Sequence, residues 1–215
     1  MPENIALAFS FIIAIIGMVR YKKVTMPFKL LSFYLFFTFL DNLSDRFSID
    51  IFKNNFTLIH IEAVANCTFF SIIYYYLFKN IYIKKSIAVS TVLFISFFLI
   101  NAIFIQPYNK VFPSNVLLIN EILFVILSLL LFKQMLLYPV QINIIKQGIF
   151  WFNTAILFFS ATMFLNFTLI NYYVKHNIHP PILIYFWHFI DIMLNVLLGI
   201  AVLTDKKEYS ITSAD

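Results

Sequence analysis

Seven long apolar stretches separated by short polar loops constrain this chain more than any other feature of its sequence. They cover residues 5–19, 27–42, 57–78, 86–105, 116–135, 148–174 and 181–204. A helix needs roughly 17–25 residues to cross the about 30 Å of hydrocarbon in a bilayer, and most stretches reach that length. Apolar residues make up 62% of the chain and charged residues 12%. The sequence therefore predicts an all-α bundle of seven transmembrane helices, forming a single domain over residues 1–215.

The positions of the basic residues predict which side of the membrane each loop occupies, because cytoplasmic loops carry an excess of Lys and Arg. If the N-terminus is outside, eleven of the fifteen basic residues fall on the cytoplasmic side, and four fall outside: Arg46, Lys53, Lys110 and Lys175. If the second stretch did not cross, the same count would be eight against seven. We therefore expect seven crossings of a bacterial cytoplasmic membrane, with the N-terminus outside and the C-terminus in the cytoplasm.

Several classes of function are excluded by what the sequence lacks. Cys67 is the only cysteine, which excludes an internal disulfide and any metal site built from several cysteines. The three glycines do not form a phosphate-binding loop. The basic residues cluster at helix ends rather than on one face, so we expect no nucleic-acid partner. The tail over residues 205–215 is too short for a signalling domain, so we expect any cytoplasmic output to require a separate protein partner.

Ionisable side chains inside the predicted spans are the best indicators of function. Each is unfavourable by roughly 2.5–3.5 kcal/mol at a helix centre on insertion scales, so such residues are rare without a role. The deep ones here are Glu62, Glu121, His188 and Asp191. All four fall in the outer half of the membrane or at its centre, whereas the inner half is almost entirely apolar. This asymmetry predicts a polar cavity that opens to the outside.

The seventh stretch carries polar residues at helical spacing, which predicts one stripe facing protein rather than lipid. The stripe consists of Tyr185, His188, Asp191, Asn195 and Gly199. On the third stretch Asn66 shares a face with Glu62, whereas His60 lies about 200° away and is expected at the membrane interface. The predicted ligand-binding residues are Glu62, Asn66, Asn120, Glu121, Tyr185, His188, Asp191 and Asn195.

The buried acids have two interpretations, which the sequence leaves open. In the structural one, each carboxyl is protonated and hydrogen-bonds to a neighbouring helix. In the functional one, the acids bind a cation or an amine-bearing small molecule from outside, or pass protons. A divalent metal held by His188, Asp191 and Glu121 would resemble a catalytic zinc site with an open position. The sequence contains no HExxH motif, and no catalytic residue is assigned.

The seven-helix plan, with the N-terminus outside and an outward cavity, resembles that of rhodopsins and seven-helix receptors over the whole chain. Rhodopsins hold retinal on a lysine of the last helix, and residues 181–204 contain no lysine, so no retinal is expected. Seven-helix intramembrane hydrolases carry a paired HxxxH motif on the last helix. This chain departs from it, with His188 followed by Asp191. Its composition is similar to that of small uncharacterised seven-helix membrane proteins of bacteria.

The leading hypothesis is a membrane receptor or sensor that binds a ligand in the outer cavity and signals through a separate cytoplasmic partner. An intramembrane metal-dependent hydrolase is the main enzymatic alternative. A transporter coupled to protons or cations is another, although broken helices and inverted repeats are not evident in the sequence. A structural membrane subunit is the fourth hypothesis. The sequence favours a protein that is not an enzyme.

Overall fold

The computed structural model describes residues 2–52, 55–108, 110, 112–139, 143–176 and 181–206. Seven α-helices account for most of these residues, and no strand occurs among them. They are α1 (Pro2–Arg20), α2 (Met26–Phe52), α3 (Phe56–Leu77), α4 (Ile81–Ile100), α5 (Ser114–Leu137), α6 (Gly148–Lys175) and α7 (Pro181–Thr204). A π-helical turn, Asn101–Ile105, continues α4, and short 3₁₀ turns occupy Tyr21–Lys23 and Ile144–Lys146.

The prediction of an all-helical chain with seven helices is confirmed, because each predicted stretch coincides with one of these helices. Within the described residues, six helices are long and apolar enough to cross a membrane, and α2 is not among them. Helix α2 continues ten residues beyond Asn42, where the predicted stretch ends. It also carries Asp41, Asp45 and Arg46, which lower its mean hydropathy. The structure therefore supports an integral, multi-pass membrane protein.

The helices form a closed ring in which consecutive helices are neighbours and α7 packs against α1. Hydrogen bonds fix which helix ends lie together. Arg46 Nη1 near the end of α2 donates to Asn4 Oδ1 at the start of α1 (2.7 Å), and Arg20 Nη2 at the end of α1 donates to the Leu203 carbonyl of α7 (2.9 Å). We call the end of the bundle that contains Asn4 the N-terminal end, and the end that contains Leu203 the C-terminal end.

The interior of the ring is filled by two groups of buried side chains. The larger group includes Tyr74, Phe124 and Phe152, and the second includes Cys67 and Met163. Apolar side chains also cover the outside of the bundle, including Val19 (73% exposed), Phe104 (77%) and Leu136 (72%). Such an exposed apolar surface is unfavourable in water and is expected where the surrounding solvent is lipid.

Hydrogen bonds and close packing hold four helices together at the C-terminal end. The Thr25 amide, which precedes α2, donates to Asp205 Oδ2 (2.7 Å) just beyond the end of α7. Arg20 Nη2 donates to the Asp205 carbonyl (3.3 Å) as well as to Leu203. Helix α6 begins at Gly148, where a Cβ atom would come within 2.7 Å of the Ala201 carbonyl oxygen. The end of α7 is therefore held in direct contact with α1, α2 and α6.

Candidate functional site

Near the N-terminal end of the bundle, three carboxyl groups on α2 and α7 lie within electrostatic range of a fourth, Glu62 on α3. Glu62 of α3 is within electrostatic range of Asp41 and Asp45 on α2 and of Asp191 on α7. Asp41 is also within range of Asp45 and Asp191. We call these four residues the acidic cluster. The structure thus brings together two predicted site residues, Glu62 and Asp191, which lie on helices far apart in the sequence.

Two acids of this cluster receive a hydrogen bond from an amide four residues further along the same helix. Asn66 Nδ2 donates to Glu62 Oε1 (3.3 Å), and Asn195 Nδ2 donates to Asp191 Oδ1 (3.2 Å) and to the Asp191 carbonyl (2.9 Å). The i, i+4 spacing places each pair on one helix face, so both contacts follow directly from the sequence. These amides orient the carboxyl groups of Glu62 and Asp191 without supplying a positive charge.

Helix α2 contributes a face to this site that the sequence prediction did not include. The hydroxyl of the buried Tyr34 lies within electrostatic range of Glu62, Asp41 and Asp191. Tyr34, Asp41 and Asp45 are spaced at i, i+7 and i+11, which is one face of a helix. That spacing could have identified the face from the sequence. Tyr34 and Asp41 fall within the predicted second stretch, whereas Asp45 lies beyond its end at Asn42, so the complete face was not recognised.

The interactions within the acidic cluster are repulsive whenever its carboxyl groups are ionised. Glu62 and Asp191 are half-buried, so water screens their charges only in part. Arg46 follows Asp45 in the sequence, but its guanidinium donates to Asn4 on α1. The charged groups that act on Glu62 in the described part of the chain are acidic. The cluster can be neutralised by protons or by a positively charged molecule that enters between the three helices.

Glu121 lies in different surroundings, on the part of α5 that faces α6. Its carboxyl is 3% exposed and lies beside the hydroxyl of Ser160. Asn120, the preceding residue, is also buried. Glu121 and Asn120 are therefore inside the bundle, as the sequence predicted. Whether they share one cavity with the acidic cluster stays a prediction.

The remaining predicted site residues lie along α7. His188 is half-buried, one turn before Asp191, and it interacts with a neighbouring group. Asn195 and Gly199 are buried, further along the same face. Tyr185 is 57% exposed at the N-terminal end of the bundle, so its side chain lies largely on the surface. The part of the stripe that points into the bundle therefore extends from His188 towards the C-terminal end.

His60, which the sequence placed at the membrane interface, is buried between the start of α3 and the turn after α4. Its Nδ1 lies 2.8 Å from the Phe56 carbonyl oxygen, and its Nε2 lies 3.3 Å from the Gln106 carbonyl oxygen. The Gln106 side chain organises this turn, since its Oε1 accepts from Asn101 Nδ2 (3.0 Å) and its Nε2 donates to the Ser114 hydroxyl (2.9 Å). The contact of His60 with Gln106 joins segments 46 residues apart, so helical periodicity alone could not predict it.

The described residues contain no group of three or more His, Cys, Asp or Glu side chains that could hold a metal ion. His188, Asp191 and Glu121, which the sequence analysis considered as ligands of a divalent metal, are thus not grouped in that way. A metal-dependent activity stays a hypothesis based on the sequence.

No protein-family model, no curated protein and no solved structure matches this chain.

Proposed function

We propose that this chain is a seven-helix membrane receptor or sensor, and that its acidic cluster binds a positively charged ligand from outside the cell. The observation that carries the proposal is the approach of four carboxyl groups from three helices. Like charges held together in partly buried surroundings repel one another. A cationic ligand removes this repulsion and gains favourable interactions with several carboxylates at once. The amides of Asn66 and Asn195 would hold two of these carboxylates in position.

The distribution of charge along the bundle supports an orientation with the N-terminal end outside. The acidic cluster lies near that end, whereas basic side chains concentrate near the opposite one: Arg20, Lys22, Lys23, Lys29, Lys79, Lys84, Lys85, Lys133, Lys146 and Lys206. An excess of basic residues is typical of cytoplasmic loops. A ligand that reaches the acidic cluster would then come from outside.

A crossing by α2 is part of the same proposal. Its 27 residues give a length of about 40 Å at 1.5 Å per residue, which exceeds the hydrocarbon thickness. Asp41 and Asp45 reduce its mean hydropathy, but neither side chain is largely exposed. Charged groups that face the interior of a bundle are compatible with a membrane-spanning helix. Seven crossings also place the two ends of the chain on opposite sides of the membrane.

Helix α7 connects the acidic cluster with the opposite end of the bundle, which we propose is cytoplasmic. Asp191 belongs to the acidic cluster, and about 20 Å further along the same helix the chain reaches Asp205 and its contacts with α1 and α2. A ligand that draws α7 towards α2 and α3 would change the packing at that end. A separate cytoplasmic protein would detect the change, since helix shifts of 1–2 Å are a common form of signalling.

Thermal unfolding of the purified protein in lipid nanodiscs tests the ligand-binding part of this proposal. Because the natural ligand is unidentified, butylammonium and tetramethylammonium serve as probes, and butanol serves as the uncharged control. Saturating cation should raise the apparent Tm by about 2–4 °C, and butanol should not. Glu62→Gln and Asp191→Asn should remove the increase. Asp205→Asn, which changes a buried carboxyl at the opposite end, should keep it.

An equal response to butylammonium and butanol, or an undiminished response in both cluster variants, would contradict the proposed site. Net uptake of the cation into proteoliposomes would indicate transport instead of sensing.

Orientation is tested separately with a membrane-impermeant maleimide on intact cells, in a Cys67→Ser background. Lys110→Cys should be labelled, and Lys206→Cys should react only after lysis. The reverse pattern would reject the outward-facing site.

A further inference from the structure

A second polar site lies between α5 and α6, on helices that do not contribute to the acidic cluster. Glu121 of α5 is 3% exposed and Ser160 of α6 is 1% exposed. The Ser160 hydroxyl lies beside the Glu121 carboxyl. Nevertheless, neither Glu121 Oε2 nor Ser160 Oγ makes a hydrogen bond of good geometry within the described chain. Glu121 Oε2 and Ser160 Oγ are thus two buried polar atoms without a well-aligned hydrogen-bond partner among the described residues.

At a second polar contact between α5 and α6, the side chains are hydrogen-bonded to one another and to the backbone. Nearer the C-terminal end, Asn153 Nδ2 of α6 donates to the Ser128 carbonyl of α5 (2.9 Å), and Tyr74 of α3 binds the Ser128 hydroxyl (2.7 Å). Every polar group at that contact has a partner from the chain. The contact at Glu121 therefore differs from the hydrogen-bonded contact that Asn153 and Ser128 make between the same two helices.

Three buried oxygen atoms on this part of α5 and α6 lack a well-aligned partner among the described residues, and two of them can accept but not donate. Asn120 Oδ1, one residue before Glu121 and 2% exposed, also lacks a partner within the described residues. A carboxylate oxygen and an amide oxygen accept only, whereas a serine hydroxyl can do both. One serine hydroxyl can donate to only one of these acceptors, so the set requires a further donor or a cation from elsewhere.

Charge and ligand chemistry favour a small monovalent cation. Oxygen ligands from carboxylate, amide and hydroxyl groups are those that hard metal ions prefer. A single carboxylate supplies one negative charge, which one monovalent cation neutralises. The next basic residue along α5 is the exposed Lys133, twelve positions away and about 18 Å along the helix. Glu121 is therefore distant from any positive charge on its own helix.

We propose that Glu121 and Ser160, with the side-chain oxygen of Asn120 as a third ligand, bind a sodium ion between α5 and α6. The ion would complete the coordination of buried oxygens that the chain leaves open, and it would join two helices that already pack along their length. This site does not depend on the ligand proposed for the acidic cluster, because the two sets share no residue and no helix.

Sodium-dependent stability of the full chain in nanodiscs tests this proposal. Unfolding is measured in sodium, potassium and choline chloride at equal ionic strength, and binding of radioactive sodium is measured in parallel. Sodium should raise the apparent Tm by about 2–4 °C over choline. Glu121→Gln should abolish sodium binding, and Ser160→Ala should raise the half-saturating sodium concentration at least tenfold. Ser32→Ala is the matched control, because its buried hydroxyl is satisfied by the Phe28 carbonyl (2.9 Å).

Several results would overturn the sodium site. One is a wild-type protein that binds no sodium and is equally stable in all three salts. Another is a sodium effect that Glu62→Gln removes and Glu121→Gln leaves intact, since the ion would then occupy the acidic cluster. Stabilisation by acid without any response to sodium would identify Glu121 as a protonated carboxyl instead. If Glu121→Gln does not fold, Ser160→Ala decides, and an unchanged sodium response in that variant rejects the site.

Discussion

Removal of the Tyr74 hydroxyl should destabilise the bundle measurably, because this one group joins three helices. Tyr74 of α3 is 0% exposed. Its hydroxyl donates to Asn153 Oδ1 of α6 (3.0 Å) and shares a hydrogen bond with the Ser128 hydroxyl of α5 (2.7 Å). Tyr74→Phe keeps the ring in place and removes only this oxygen. The substitution therefore isolates the polar contact from the packing around it.

The expected magnitude follows from the two lost hydrogen bonds. Each is worth about 0.5–1.5 kcal/mol net in proteins, and contacts between transmembrane helices average about 0.6 kcal/mol. Asn153 Oδ1 would also lose its Tyr74 donor in buried surroundings. We expect Tyr74→Phe to lower the free energy of unfolding by about 1–3 kcal/mol. Tyr74→Ala should be worse, at about 3–5 kcal/mol, because it also removes the ring that packs on Phe152 at 5.4 Å between centroids.

Reversible unfolding in mixed micelles measures this difference, with Tyr75→Phe as the matched control. Tyr75 is the next residue on α3 and is 41% exposed, so loss of its hydroxyl should change stability by less than about 0.5 kcal/mol. The double variant Tyr74→Phe with Ser128→Ala should be less destabilised than the sum of the two single variants, because they share a bond. Equal stability of Tyr74→Phe and Tyr75→Phe would refute the reasoning.

Two further predictions concern the C-terminal end of the bundle. Burial raises the pKa of Asp205 above its usual value of 3.8, although the hydrogen bond from Thr25 offsets part of the effect. The native state therefore binds this proton more tightly than the unfolded state does, so stability should fall as the pH rises from about 3.8 to the raised native pKa. In Asp205→Asn the free energy of unfolding should decline less steeply over this pH range, and an unchanged slope would contradict the prediction. Gly148→Ala places a Cβ atom within 2.7 Å of the Ala201 carbonyl oxygen and should destabilise by about 1–3 kcal/mol in the micelle unfolding assay. Gly199→Ala should destabilise less than Gly148→Ala, because the nearest atom there is the far end of the flexible Ile13 side chain. A larger loss of stability in Gly199→Ala would show that the helix ends at Gly148 are free to separate.

Part of the candidate site could be predicted from helical spacing. The contacts of Glu62 with Asn66 and of Asp191 with Asn195 are pairs at i and i+4, so they follow once each segment is known to be helical. The approach of α2 to these acids could not be predicted in the same way, because it depends on which faces of three helices meet. Tyr34 was therefore missed, although it is almost fully buried.

The sequence by itself determined the fold class and the helix positions. Apolar stretches of bilayer length can satisfy their backbone groups within lipid only as helices or closed barrels, and the length and composition of these stretches select helices. The tertiary structure alone decided which polar residues meet. Glu62 lies within electrostatic range of Asp191 on α7, whereas Glu121 lies beside Ser160 on another pair of helices. Spacing along one helix fixes a face but not its neighbour, since side-chain packing sets the rotation of each helix within the bundle.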